Sequence, residues 1–360
     1  MTGPELSIII PFYRGMKHIE DTVKSVRPIT HSKEILIVDD GPGDGSFEAL
    51  QTLFAEDPEV RLLQKENGGI ADARNFGLHV AEGRYVFFLD QDDTAAHQVL
   101  DDALDMADEQ NCDLVFWTTE MTYEANRSNR ECDTVLKRAV LEKNEITEVI
   151  LRQILTQTSS EYGTRFTHLW MGLYRRDFVL GHNMNFRSFI AIDDDLIFII
   201  DAVSYAERLG LIPETGYLWL QNYSSESHTS QYTDDFVRKT IEHFEYYNEV
   251  ADRAGCSDDL KAAVKGFIPQ AIVADSLVNW ADMPDGPARD HEKEAILSLL
   301  DSEAYKAVWD VNFLGTDRPR AKTYELMKKH SYEAAFAYNQ SERNKRILRR
   351  RLRSIWDRIH

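Results

Sequence analysis

The chain has 360 residues, 43% of them hydrophobic, which suits a packed core and excludes wholesale disorder. Its formal net charge of −20 excludes a nucleic-acid binder, which needs a basic face. A phosphate-rich ligand would therefore need a local source of positive charge, either a metal ion or a few placed arginines.

Residues 6–10 read as a strand that stops at Pro11. Ile19, Val23 and Val26 then recur at the spacing of one helical face. Residues 35–38 form a second strand, followed by a Gly/Pro/Asp turn, a helical face of Phe47, Leu50, Leu53 and Phe54, and a short third strand at 60–63. A helix at 71–80, a fourth strand at 85–89, a helix at 99–107 and a fifth strand at 114–117 follow. The strands are continuous apolar runs without polar alternation, as in a sheet buried on both faces. Alternation of β and α predicts an α/β fold: a Rossmann-like, mostly parallel sheet flanked by helices. Residues 121–232 are less regular, with a charged helix near 141–157, an aromatic-rich stretch at 166–178, acidic residues at 193–195 and a polar loop at 221–232. From about 234 the pattern is helical to the end. The expected regions are 1–120, 121–232, a helical region 233–340 and a basic tail 341–360.

Ligands of open parallel sheets bind beyond the carboxyl ends of the strands. There the sequence places Pro11, Phe12 and Tyr13, then Asp39, Asp40 and Gly41, then Asp90, Gln91, Asp92 and Asp93. Aspartate and glycine also serve in ordinary turns. Five carboxylates on one edge, however, repel each other unless a cation or ligand neutralises them. Asp92 and Asp93 are hard oxygen donors of the kind that hold Mg²⁺ or Mn²⁺ together with phosphate oxygens. They would equally cap a helix starting near Thr94. Asn67-Gly68-Gly69 precedes a helix carrying Arg74 and Asn75; glycines there permit close backbone approach, and the arginine meets an anion or is simply exposed. Crowding of Asp193, Asp194 and Asp195 would raise the pKa of one of them, which suits a general base; the bland alternative is an exposed acidic N-cap for a helix from Leu196.

Four motifs in order carry a resemblance. They are Ile10-Pro11-Phe12-Tyr13; Val38-Asp39-Asp40-Gly41 with Asp44 and Ser46; Asn67-Gly68-Gly69 with Ala73-Arg74-Asn75 and Gly77; and Phe88-Leu89-Asp90-Gln91-Asp92-Asp93. Together they resemble the donor half of family 2 glycosyltransferases, inverting enzymes of the GT-A fold that build bacterial surface polysaccharides. The resemblance covers residues 5–120. It extends more weakly to about 230 through Trp170, Leu173-Tyr174-Arg175-Arg176, Phe186 and Asp194-Asp195 with Phe198. It implies transfer of a hexosyl or N-acetylhexosaminyl group from a nucleotide diphosphate sugar, a UDP-sugar in the main, to a hydroxyl of a glycan or lipid-linked glycan. Pro11 and Tyr13 would border the nucleobase, and Asp40 would accept a hydrogen bond from it. Gly69, Arg74 and Asn75 would belong to the donor site, with Arg74 near the base or phosphates. Asp90 and Asp92 would approach ribose and diphosphate. Mn²⁺ or Mg²⁺ would be held by Asp93 with Asp92 assisting, and His228 stands where the family places groups that touch diphosphate or metal. Asp195 would be the base, beside Asp194. Five positions depart from the family: Arg14 for Asn, Pro42-Gly43 for Ser-Thr, Gly172 for Lys and Asp194 for Glu; the last two fall on the acceptor side.

Trp170, Tyr217, Trp219 and Tyr223 would form either an acceptor platform or the core of a second subdomain. The last twenty residues carry eight Lys/Arg against Glu342 and Asp357, so the tail is +6 and the remaining body −26. Leu348, Leu352, Ile355 and Ile359 make it a basic amphipathic helix, fit to lie on an anionic membrane, on the acidic body or on a second subunit. Three scattered cysteines, Cys112, Cys132 and Cys256, suit a reducing compartment. No apolar run reaches the roughly 18 residues a membrane span needs, so the expectation is a cytoplasmic protein, peripheral at the inner face of the membrane. Two rival readings remain: a sugar nucleotidyltransferase, or a GT-A-like scaffold without activity. A dinucleotide fingerprint fails because Ser46 stands where the third glycine is needed.

Overall fold

The computed structural model describes residues 3–41, 43–123, 129–130, 136–158, 166–190, 194–221, 232–302, 305 and 318–359. The chain divides into two compact units. The first comprises Met1–Leu151, Ser160–Ser188 and Asp193–Asn222; the second comprises Arg152–Ser159, Phe189–Ile192 and Tyr223–His360.

The first unit is built on a sheet whose opening strands are parallel: β1 (Leu6–Phe12), β2 (Lys33–Asp39), β3 (Val60–Gln64) and β4 (Tyr85–Phe88). Its helices are α1 (Ile19–Val26), α2 (Ser46–Leu53), α3 (Ile70–Val80) and α4 (His97–Glu109). Every residue of β1 is buried, which is why the run shows no polar alternation. Contrary to the sequence expectation, β1 continues through Pro11 and Phe12, paired with Val38 and Asp39 of β2. The odd residues of β1 point their backbone groups towards β4, as the bond from the Leu89 N–H to the Ile9 carbonyl shows. Pairing with β4 ends at Ile9, so the N–H that Pro11 lacks has no strand to serve.

Beyond β4 the sheet is mixed. It continues with β5 (Thr94–Ala95), β6 (Leu114–Tyr123), β7 (Asn129–Arg130), β8 (Ala139–Glu142), β9 (Gly172–Arg175) and β10 (Arg208–Gln221). The order is β3-β2-β1-β4-β9-β6-β10-β5, with β7 on β6 and β8 on β10. β9 lies antiparallel between β4 and β6, an insertion that its four residues do not announce in the sequence. Gly172 opens β9 where a β-carbon would meet the Phe116 ring at 2.6 Å, so no larger residue fits without displacing that ring. The long β10 carries register shifts between Ile212 and Tyr217, next to Pro213, which breaks the sequence pattern of a single strand. Helix α5 (Lys143–Glu145) runs into a π-helical stretch, Ile146–Leu151, and α7 (Arg176–Gly181) and α8 (Asp194–Tyr205) complete this unit. Helix α8 starts at Asp194, two residues before the expected start at Leu196, so Asp194 and Asp195 stand in its first turn and not ahead of it as a cap.

The second unit is helical. It contains α6 (Arg152–Thr156) and the helices Phe236–Arg253, Asp258–Asp282, Pro287–Asp301, Arg318–Lys328 and Tyr332–Ile359. Val273, Leu277, Ile296, Leu300 and Phe336 form its core. Arg346 donates to Asp282 at 2.9 Å and Arg343 lies 3.7 Å from the same carboxylate, so the start of the basic tail is spent inside its own unit. Among the described residues no helix is long and apolar enough to cross a membrane.

Candidate active site

The carboxyl edge of β1, β2 and β4 collects the expected residues, and local packing explains their placement. A β-carbon on Gly77 would come within 2.5 Å of the Ile9 side chain, so glycine lets α3 sit directly on β1. That approach brings Arg74, one turn earlier, to the strand ends, where it is only 3% exposed. Its guanidinium lies over the Phe186 ring at 5.6 Å. Phe186 in turn stacks on Phe198 of α8 at 4.3 Å and meets Phe88 at 5.0 Å. This aromatic cluster ties the end of β4 to the beginning of α8.

Arg74 is the hub of the site. It donates to Asp90 at 3.0 Å, to Asp194 at 2.9 Å and, at closer range, to Asp195. Burial works against its charge, but Asp195, Asp90 and Asp194 together outweigh that and hold the guanidinium above its ordinary value. Asp194 is buried, while Asp195 keeps 23% of its side chain exposed. Burial raises the Asp195 carboxyl to about 6; Arg74 pulls it down, Asp194 and Asp90 push it up, and the Leu169 peptide N–H stabilises the anion. A carboxylate poised near neutrality suits general base work.

At the end of β2, Asp40 is 4% exposed and accepts from Lys65 at 2.7 Å and from the peptide N–H groups of Gly68 at 2.9 Å and Gly69 at 2.8 Å. A carboxylate has about four lone-pair directions, so one remains for a base N–H. Gly69, with φ of 86° and ψ of 171°, adopts a conformation open to glycine alone. Neighbouring Asp39 bonds Gln64 at 3.0 Å through one oxygen, while its buried Oδ1 has no hydrogen-bond partner among the described residues. Tyr13 is half-exposed, and Gln91 clamps its backbone, accepting from the N–H at 2.9 Å and donating to the carbonyl at 3.0 Å. Pro11 is buried within β1. The Asn75 amide is committed to the Phe186 peptide, donating to its carbonyl at 2.9 Å and accepting from its N–H at 2.8 Å. Its contact is thus with the loop before α8.

Asp93 is 2% exposed, and each of its oxygens meets a donor: the Tyr217 hydroxyl at 2.5 Å and the Leu220 N–H at 2.6 Å. Burial, with Asp90 and Asp92 nearby, raises its carboxyl well above the ordinary range. Asp92 is half-exposed and is also raised, by burial and then by Asp90. Of the two aspartates expected at a metal, Asp92 is the accessible one and Asp93 is anchored to β10. Asp92 is therefore the hard oxygen donor of this pair left open to a ligand. Among the described residues no three His, Cys, Asp or Glu side chains are grouped to hold a metal ion. His228, Pro42, Tyr223 and Asp193 lie outside the described residues.

Of the expected acceptor platform, Trp170 and Tyr217 are buried at 6% and 0% and stack at 4.4 Å, the behaviour of core residues. Trp219 is half-exposed. Sequence reasoning missed Gln91, Lys65 and the anchoring role of Tyr217. Gln91 lies inside a motif already singled out, whereas Tyr217 is more than a hundred residues from Asp93 and carries no local signal.

Residues 7–180 match the family model for glycosyl transferase family 2. That segment is a glycosyl transferase family 2 domain. The chain is 29% identical to EpsJ of Bacillus subtilis, an uncharacterized glycosyltransferase, over 72% of its own length and 75% of that protein's. It is 40% identical to TuaG of the same organism, a putative teichuronic acid biosynthesis glycosyltransferase, over 31% of its length and 46% of that protein's. Its fold is similar to that of Staphylococcus aureus TarS, solved in complex with UDP-GlcNAc, with a TM-score of 0.63 at 18% identity, covering 95% of this chain and 92% of that one. The GT-A architecture expected from the motifs is therefore present, with the mixed sheet as its correction.

Proposed function

We propose that the chain transfers a sugar from a UDP-sugar to a hydroxyl of a surface glycan or its lipid-linked precursor, with inversion at the anomeric carbon. The observation that carries this reading is the Arg74 junction. One buried guanidinium joins Asp90, on the donor edge, to Asp195, the carboxylate raised to about 6. The TarS complex with UDP-GlcNAc supports the donor class, and the name of TuaG supports the glycan class.

In this reading Tyr13 and Asp40 border the base, with the peptide of Tyr13 fixed by Gln91. Asp92, backed by Asp93, would hold Mn²⁺ or Mg²⁺, which when bound offsets the charge of the departing diphosphate. Asp195 takes the proton of the acceptor hydroxyl as its oxygen bonds to the anomeric carbon and the bond from that carbon to the diphosphate oxygen breaks. Base assistance of this kind is worth about 10²–10⁴-fold. Arg74 keeps Asp195 ionised and oriented.

Thermal shift with UDP and UDP-GlcNAc, with and without Mn²⁺, on wild type and Asp92→Asn tests the reading. Ligand at 100 times its dissociation constant adds about 2.7 kcal/mol. The expected result is a metal-dependent rise in Tm that Asp92→Asn loses, together with release of UDP on turnover. No shift with any nucleotide diphosphate would overturn it. A shift without turnover would favour the scaffold, and pyrophosphate release from a nucleoside triphosphate and a sugar phosphate would favour the nucleotidyltransferase.

A further inference from the structure

An aromatic ladder in the first unit ends at the surface beside Asp195. The buried Tyr217, bonded to Asp93, stacks on Trp170 at 4.4 Å, and Trp170 stacks on His168 at 4.7 Å with rings 1° from parallel. Trp219 stands 6.3 Å from His168 at 41°, forming an adjacent wall. Unlike Trp170 and Tyr217, His168 is exposed, and its ring makes no hydrogen bond to a described residue. The next residue, Leu169, gives its peptide N–H to the Asp195 carboxylate. That turn is fixed from below by the Tyr174 hydroxyl, which donates to the Leu169 carbonyl at 2.8 Å. The imidazole is thus held flat, one residue from the group that contacts the candidate base.

Desolvation outweighs the pull of Asp90 and keeps the imidazole below its ordinary value, so it is neutral at pH 7. A neutral imidazole offers an aromatic face, one N–H donor and one acceptor nitrogen. A pyranose has a complementary surface: a patch of axial C–H bonds on one face and hydroxyls at the rim that both donate and accept. A core histidine would have its nitrogens bonded, and those of His168 are bonded to no described residue.

We propose that His168 and Trp219 form the acceptor-sugar subsite, in which a pyranose ring stacks on the exposed imidazole face with its reacting hydroxyl towards Asp195. This rests on the reading of Asp195 as the base. His168 sets acceptor affinity, Trp219 closes one side, and the buried Trp170–Tyr217 pair holds the platform against the donor edge.

The test is saturation-transfer difference NMR on the full chain with UDP and Mn²⁺, using methyl β-glycosides of glucose, galactose and N-acetylglucosamine as probes. Transfer to the ring C–H protons of at least one glycoside is expected. His168→Ala should weaken that glycoside by up to about tenfold, the loss of one aromatic stack, while His168→Phe should retain it and Trp219→Ala should weaken it. Melting temperatures without ligand check that each variant folds. No transfer from any probe, equal transfer in His168→Ala, or equal loss in His168→Phe and His168→Ala would each overturn the subsite. The UDP-induced thermal shift is read on the same samples. Its absence in wild type would sink the donor reading, whereas its presence without saccharide transfer would sink the subsite alone.

Discussion

Removing the charge of Arg74 tests whether this buried guanidinium governs the base. Asp195 is held at about 6 even with Arg74 beside it, because burial and two further carboxylates oppose its ionisation. At pH 7 such a group is about nine-tenths ionised. An adjacent arginine lowers a carboxyl by about 1–3 pH units. Arg74→Gln should therefore move Asp195 to about 7–9, leaving between about half and a hundredth of it ionised at pH 7. The rate should fall about 2- to 90-fold at pH 7 and recover as the pH is raised towards about 9. The assay is UDP release at saturating donor across pH 5.5–9.5 (roughly the window these values span). Wild type should lose activity below about 6, and the variant should lose it below a correspondingly higher pH. Because Arg74→Gln also leaves the buried Asp194 without its partner, it will cost stability, by about 3–5 kcal/mol if the pair behaves as buried pairs do. Arg74→Lys is the control: it keeps the charge, loses the fork, and should leave the acid limb near 6. A limb that stays put in Arg74→Gln, or a loss that is uniform across pH, would refute the argument.

Three more outcomes follow from the same geometry. The folded-state value of Asp195, about 6, lies above its ordinary 3.8, so the folded chain binds this proton more tightly than the unfolded chain. Its contribution to stability is therefore greatest below about 4 and is lost as pH rises through about 6. The difference in Tm between Asp195→Asn and wild type should grow in favour of the variant over that window while transfer is lost; a pH-independent difference would contradict the assignment. Tyr217→Phe removes the 2.5 Å hydrogen bond to a 2%-exposed carboxylate, and bonds to charged groups are worth about 1.5–3 kcal/mol. Denaturant melts should show a loss of that order, and a neutral result would refute the anchoring of Asp93 by Tyr217. Gly69→Ala forces a β-carbon onto a backbone at φ 86° and ψ 171°, at a cost of about 1–3 kcal/mol. It should loosen the peptide N–H groups on Asp40 and weaken UDP binding by isothermal calorimetry; unchanged binding would remove this loop from the donor site.

The strands and edge residues of positions 5–120 were legible in the chain order. Parallel strands buried on both faces must be continuous apolar runs, so β1, β2 and β4 are visible as such. The residues that follow them must crowd at one edge, so Tyr13, Asp40, Asp90 and Asp92 could be named from chain order alone. The glycines were legible for the same local reason: Gly69 and Gly77 stand where a side chain would strain the backbone or strike Ile9. The contacts that were not legible join partners far apart in the chain. β9 inserts between β4 and β6 because four residues find edges supplied by segments well before them, which no periodicity records. Asp93 is tied to Tyr217 and Leu220, Asn75 to Phe186, and Arg74 to Asp194 and Asp195, across 111 to 127 positions. Side-chain periodicity reports which face of an element is buried. Which carboxylate of a cluster meets a donor, and which stays open to a ligand, depends on the elements packed above it, and those are chosen by the fold as a whole.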